Sequence, residues 1–351
     1  MRTTLSVLIP VYNTGEYLRS CLDSIISQTY KDFEIVIVDD GSTDGGAAIC
    51  DEYDKKYGFV KVIHNNHSGV METRKTALAN SSGEYISFVD SDDYLDSDMY
   101  EFLMGRILKY DADMAVCGIL TEHRDRTEKS VNGYGNALYT KERLLAEVYP
   151  TMLFDVSTAH HGTPPSFCNK IIRRRLIENA LMNADGSIEF GEDAICTYPC
   201  LLDSEKVYFA AGKYFYHYRM INTSMTHTYD EKLFDKFMLV PLMLKRAFEE
   251  RGFDYSEQLD CYTARYLLEC IRKELLLNRS RPLSARIKKI KKYLDEPRIK
   301  NAFDAICRYK FDFALDLKLR LARRGNILLL YLVYKTKRSV TRSGAVDKDE
   351  G

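Results

Sequence analysis

Two hydrophobic periods alternate through the first 120 residues, and this alternation constrains the fold more than any other feature of the chain. Short β-rich runs occur at Leu5–Val11, Phe33–Val38, Val60–Ile63, Tyr85–Val89 and Met114–Leu120. Between the first two, Leu18, Cys21, Leu22, Ile25 and Ile26 follow the spacing of one buried helix face. Segments 45–57, 70–80 and 97–110 read as further helices, each entered through polar or acidic residues. Strands that alternate with helices build a mostly parallel sheet covered on both faces. The spacing therefore predicts an α/β, Rossmann-like nucleotide-binding architecture with ligands at the C-terminal ends of the strands.

From residue 121 the pattern changes. Residues 121–138 are polar and contain Gly and Asn, which predicts a mobile loop. Residues 139–230 mix short helices and strands, the stretch from Lys232 reads as helical, and the last ten residues read as disordered. A length of 351 residues suits one large domain with appendages or two modest ones. The composition, 45% hydrophobic and 29% charged, excludes a disordered chain. Net charge is -1, but it is segregated: residues 1–120 hold ten basic and twenty acidic residues, and residues 281–342 hold eighteen basic and five acidic. Nine cysteines form no CxxC pair; Cys196 and Cys200 share a helix-face spacing with no second pair to complete a zinc site. They read as reduced, buried thiols of a cytosolic protein. The start, MRTTLSVLIPVYN, reads as a buried strand rather than a signal peptide. The longest apolar run, Ile327 to Tyr334, is far shorter than the ~20 residues of a bilayer span.

Two predicted strands end in acid. EIVIVDDGSTD puts Asp39 and Asp40 at one strand tip, and EYISFVDSDDYLD puts Asp90, Asp92 and Asp93 at another. Carboxylates this close repel one another unless water or a cation separates them. Oxygen ligands of this kind suit Mg²⁺ or Mn²⁺, with a nucleotide diphosphate completing the shell. A solvated acidic turn capping the next helix is the plainer alternative for DSDD alone. The second acidic tip and Arg74 on an intervening helix weigh against it.

SVLIPVYNTGEYLRSCLDSIISQTYKDFEIVIVDDGSTD followed by GEYISFVDSDD resembles glycosyltransferase family 2, which has the GT-A fold. The resemblance is dense over residues 4–118 and thinner to about residue 226. It implies a nucleotide-sugar-binding half at 1–120, an acceptor-binding half at 121–230, a helical extension at 231–340 and a tail at 341–351. Pro10, Val11 and Tyr12 would contact the nucleoside. Asp40 would accept the uracil N3–H of a UDP-sugar, and Asp39 would lie near the ribose or support the fold. Arg74 would face the diphosphate or the uracil. Asp90-Ser91-Asp92 matches the DxD motif: Asp92 would bind the metal, and Asp90 the ribose or a metal-bound water. Asp93 has the weaker claim, because its side chain should turn away from that of Asp92.

In IEFGEDAICTYP the family's general base matches Asp193. Inverting transfer needs one carboxylate to remove the acceptor hydroxyl's proton, opposite the leaving UDP. On the residues alone, Glu192 and Asp193 read equally well as acids favouring a helix N-terminus. FCNKIIRRRLI and FYHYRMINTSMTH also resemble family segments. In them Lys170 reads as structural, and His217 as either a metal ligand or a packed ring.

The tail interleaves aliphatics with Lys and Arg, as in FDFALDLKLRLARRGNILLLYLVYKTKRS. It reads either as a bundle with a solvated basic face or as a peripheral contact with an anionic membrane surface; no nucleic-acid module accompanies it. The expectation is a cytoplasmic, metal-dependent transferase passing a sugar from a UDP-type donor to a saccharide or lipid-linked glycan. A sugar nucleotidyltransferase would need a Gly-rich triphosphate loop where PVYNTGEY stands. A non-catalytic saccharide-binding protein on the same fold is the third reading. The residues name neither the sugar nor the acceptor.

Overall fold

A computed structural model of the chain describes residues 4–130, 133–186, 188, 190–221 and 229–343. It divides into two compact units, residues 1–150 with 163–222, and residues 151–162 with 223–351.

The first unit contains β1 (Leu5–Val11), α1 (Gly15–Ile26), β2 (Phe33–Asp39), α2 (Gly46–Lys56), β3 (Val60–His64), α3 (Val70–Ala79), β4 (Tyr85–Phe88), β5 (Tyr94–Leu95) and α4 (Met99–Tyr110). It continues with β6 (Met114–Glu122), β7 (Thr127–Lys129), β8 (Ala137–Thr140) and α5 (Lys141–Arg143), which runs on as a π-helical turn over Leu144–Val148. The last elements are β9 (Lys170–Arg173), α6 (Arg174–Met182), α7 (Glu192–Asp203) and β10 (Lys206–Arg219). The first four strands pair in parallel, as their spacing predicts, and stand in the order β3-β2-β1-β4. Chain order reverses at β1, which opens a crevice at the switch point. Past β4 the sheet is mixed: β9 runs antiparallel to β4 and β6, while β6 and β10 are parallel.

Alternation along each strand divides the core between the two faces. Leu5, Val7, Ile9, Ile35 and Ile37 pack with Leu18, Leu22, Cys50, Tyr53, Leu103 and Ile107 of α1, α2 and α4. Leu8, Val36, Val38, Ile86 and Phe88 are buried outside that cluster, and α3 packs on β1 and β2. Burial of both faces explains why these strands read as continuous apolar runs.

Within 121–138 the described residues include strand where their polarity suggests a loop. β6 runs on to Glu122 and pairs antiparallel with β7, and β8 pairs with β10. All three residues of β7 are exposed, so neither face carries the apolar alternation that marks a strand.

In the second unit α9 (Ser256–Leu276) packs against α8 (Leu233–Glu249), α10 (Leu283–Leu294), α11 (Pro297–Ile306), α12 (Phe313–Arg323) and α13 (Ile327–Ser343). Buried Glu274 on α9 pairs with Lys289 at 3.0 Å and accepts from Tyr229 Oη at 2.7 Å. Segment 151–162 belongs to this unit: Leu153 N–H donates to Gln258 Oε1 at 3.1 Å, and His161 hydrogen-bonds Tyr266. Nothing in the spacing of that segment signals the excursion. Among the described residues no helix is long and apolar enough to cross a membrane. The tail expected to be disordered lies, from residue 344, outside the described residues.

Gly83 sets the closeness of β1 and β4. Its N–H donates to Ser6 Oγ at 2.8 Å, and a Cβ there would sit 2.6 Å from the Ser6 backbone nitrogen. Gly83→Ala is expected to destabilise the fold by ~1–3 kcal/mol, the usual range for overpacking. Urea unfolding measures it, and an unchanged midpoint would contradict this account.

Candidate functional site

The C-terminal ends of β1, β2 and β4 lie side by side, through the pairs Val11↔Asp39 and Leu8↔Phe88. Val11 packs into the core and its carbonyl accepts from Asp40 N–H at 2.8 Å, so its side chain supports the tip instead of lining the crevice. Pro10, partly exposed, pairs with Val38. Tyr12, 46% exposed, stacks on His67 with ring centroids 4.3 Å apart.

The two acids ending β2 serve different loops. Asp39 accepts from Ser42 N–H at 3.1 Å and pairs with His64 at 3.0 Å, a fold-supporting set of contacts. Those contacts, with Asp51 on the other ring nitrogen, raise the His64 pKa. Asp40 Oδ1 accepts from Ser68 N–H at 2.7 Å and Ser68 Oγ at 2.9 Å, and Oδ2 from Gly69 N–H at 2.9 Å. Burial opposes ionisation here, but these bonds and His67 outweigh it and hold the Asp40 pKa down. Its side chain is 3% exposed, so the open carboxylate edge expected from the sequence is largely taken up by the chain's own 67–69 loop.

Arg74 on α3 stands at the centre. Its Nη2 lies 3.4 Å from Asp90, and its Nη1 lies 2.9 Å from Glu192 and 3.0 Å from Asp193. The guanidinium sits 4.7 Å over the Phe167 ring, and its buried Nε–H finds no acceptor among the described residues. Burial alone would lower its pKa; Asp193, Glu192 and Asp90 reverse that and keep it charged. The strand tip and the Gly-Glu-Asp helix start, read as separate sites, thus share one cation. Gly191 makes that start possible: its φ of 77° suits glycine and turns the chain into α7. Glu192 is the more enclosed of the two acids, which its helix-start position alone did not reveal.

At the β4 tip Ser91 is buried and hydrogen-bonds Thr14 at 2.8 Å. The Asp92 carboxyl is partly buried, with its pKa raised to about 6 by burial first and Asp90 second. Asp93 turns inward to Tyr216 and is fully buried, as its weaker claim on a ligand implies. Burial also raises the Asp193 pKa, Glu192 adds to the shift, and Arg74 opposes it. His217 engages Glu122 at 2.9 Å and Asp96 at 3.1 Å through its two ring nitrogens and stacks on Tyr94, the packed-ring alternative. Lys170 is structural: buried, it donates to Pro164 O at 3.2 Å and Asn169 Oδ1 at 3.0 Å, pinning the loop that carries Phe167.

Among the described residues no three His, Cys, Asp or Glu side chains form a metal cage. Sites for Mg²⁺-like ions commonly take one or two carboxylates from protein and the remaining ligands from phosphate and water. Asp92 and Asp90 fit that donor set. Tyr216, Arg219, His67 and Phe167 join the site without having been singled out from the sequence. The first two lie in the FYHYR stretch, where the strand period alone could have marked the buried Tyr216.

The profile of the glycosyl transferase family 2 matches residues 6–180. Glycosyltransferase GlyA of Streptococcus pneumoniae is 34% identical over 228 residues, covering 65% of this chain and 32% of GlyA. EpsH of Bacillus subtilis is 29% identical over 291 residues, covering 82% of this chain and 81% of its own length. The chain thus spans about a third of GlyA and most of EpsH. A crystal structure of S. aureus TarS 1–349 in complex with UDP-GlcNAc shares the GT-A fold, with a TM-score of 0.68, 20% identity, and coverage of 96% of this chain and 92% of that one. The profile lies over the residues that build both acidic strand tips and Arg74, and the chain belongs to glycosyltransferase family 2.

Proposed function

We propose that this protein transfers a sugar from a UDP-sugar to a saccharide or lipid-linked glycan acceptor, with inversion in a single displacement. The observation that carries the proposal is Arg74, one guanidinium spanning Asp90 at the strand tip and Asp193 at the α7 start. Asp193 takes the proton of the acceptor hydroxyl while that oxygen bonds to the anomeric carbon and the bond to the UDP oxygen breaks. Asp92, with Asp90, would hold Mn²⁺ or Mg²⁺, which supplies positive charge toward the departing diphosphate. The Nε–H of Arg74, without an acceptor among the described residues, suits a phosphate oxygen. TarS, a protein of the same fold, was solved with UDP-GlcNAc, which supports a UDP-linked donor.

For the base we assign Tyr12 as stacking surface and Asp40 as acceptor. A carboxylate offers about four acceptor sites. Three take donors from Ser68 and Gly69, and among the described residues the fourth meets the exposed His67 ring at 3.3 Å. The uracil N3–H replaces His67 there. UDP is expected to displace a labelled donor at lower concentration than GDP, and tighter binding of GDP would sink the assignment.

Asp193→Asn keeps the shape and removes the proton acceptor. Transfer should fall ~10²–10⁴-fold while UDP affinity, read by calorimetry, changes little. Because burial raises the Asp193 pKa, the base is more protonated at low pH, so wild-type transfer should climb with pH through the neutral range. The variant should lose that limb. Glu192→Gln should be milder; near-normal transfer in Asp193→Asn alongside loss in Glu192→Gln would move the base one residue earlier.

Peripheral contact with an anionic membrane is proposed for the second unit. Leu328, Leu329 and Leu332 on α13 are 57%, 49% and 50% exposed, in the region richest in Lys and Arg. Wild-type protein should float with anionic liposomes and the pair Leu329→Asp and Leu332→Asp should not. A wild type that never floats leaves these helices a packing role alone.

A further inference from the structure

Asp93 has no part in the chemistry above, yet it is fully buried beside two other carboxylates. Its partners come from the end of β10. Tyr216 Oη donates to Asp93 Oδ2 at 2.7 Å, and the Arg219 backbone N–H donates to Oδ1 at 2.8 Å. The same Tyr216 hydroxyl accepts from Asp90 N–H at 3.2 Å, so it bridges both ends of the 90–93 turn. Asp93 N–H closes that turn on Asp90 O at 3.0 Å. The Arg219 side chain completes the grip: Nη1 donates to Asp92 O at 2.9 Å, Nη2 to Ser20 Oγ at 2.8 Å, and the guanidinium lies 4.5 Å over Tyr94.

Two residues three positions apart on one strand therefore hold the first N–H, the third carbonyl and the last carboxylate of the turn. The carboxylates of Asp90, which pairs with Arg74, and of Asp92 are left outside this grip, and Asp92 is the one of the two whose carbonyl the grip holds. Its reach is set by only two side-chain torsions once its backbone is fixed. A turn needed only for shape could be filled with apolar side chains, which often serve stability as well as or better than buried charge. Groups that orient a ligating side chain, by contrast, commonly control metal affinity.

We infer that Tyr216, Arg219 and Asp93 are positioning residues that aim the Asp92 carboxylate at a cation-bound nucleoside diphosphate. This rests on the reading of Asp92 as the cation ligand. Arg219 acts here through the Asp92 carbonyl, and its planar fork makes two contacts that a lysine cannot reproduce together.

The test uses the full chain and calorimetric UDP titrations over a range of Mn²⁺ concentrations and in chelator, with thermal melts for integrity. Tyr216→Phe removes one hydroxyl, and Arg219→Lys keeps the charge at a partly exposed position. Each is expected to raise the Mn²⁺ concentration for half-maximal UDP binding by about tenfold or more. UDP affinity in chelator should stay within about twofold, since the base contacts lie elsewhere. Folded variants with wild-type Mn²⁺ dependence overturn the inference, as does an equal loss of affinity in chelator. If Tyr216→Phe melts early, Arg219→Lys decides alone. Asp92→Asn separates the two readings. Loss of Mn²⁺ dependence in Asp92→Asn with none in the other two sinks only the positioning role, whereas unchanged dependence in Asp92→Asn sinks the metal assignment beneath it.

Discussion

Arg74 carries the one interaction on which the geometry of this site depends. Its side chain is 4% exposed, and the three carboxylates around it come from a strand tip and a helix start far apart in the chain. Stripping water from a guanidinium costs several kcal/mol, and only close carboxylates with good geometry offset that. The cluster consequently ties α3, the β4 tip and the α7 N-terminus to one another. Phe167 lies against the Arg74 guanidinium and packs on Phe88, 4.8 Å away, as an apolar floor to the cluster. Burial is the first cause that lifts the Asp92 and Asp193 carboxyls above their ordinary range; Asp90 adds to the rise at Asp92, and Arg74 opposes it at Asp193.

The sheet supplies what the ion cluster cannot, namely common alignment of the strand tips. β1, β2 and β4 run parallel, so every chain exit from them lies on one edge and the acids after β2 and β4 meet there. β10 arrives parallel to β6 and brings Tyr216 and Arg219 to the same edge from more than a hundred residues away. Loops at that edge are held by side chains rather than by strand pairing. Asp40 fixes 67–69, Lys170 fixes 164–169, and Asn13 Oδ1 accepts from Thr43 N–H at 2.8 Å.

Legibility followed the physics of burial. Strands covered on both faces must be apolar throughout, so β1, β2 and β4 announced themselves in the sequence. β7 carries no such signal because it is solvated on both sides. Segment 151–162 was equally silent, since its partners Gln258 and Tyr266 lie about a hundred residues downstream. Asp40 read as a ligand-facing acid, yet in the folded chain most of its acceptor capacity serves Ser68 and Gly69.

The amino-acid sequence by itself determined the α/β class, the parallel strand–helix alternation, the two acidic strand tips and the family. The first three follow from local periods and short spacings, which are properties of neighbouring residues, and the family from the resemblance its motifs carry. Only the tertiary structure decided which carboxylates gather on Arg74, that Asp93 turns inward while Asp92 does not, and that His217 commits both ring nitrogens to Glu122 and Asp96. Those choices depend on how separate elements pack, and no local period encodes a contact such as the one between Arg74 and Asp193, 119 residues apart.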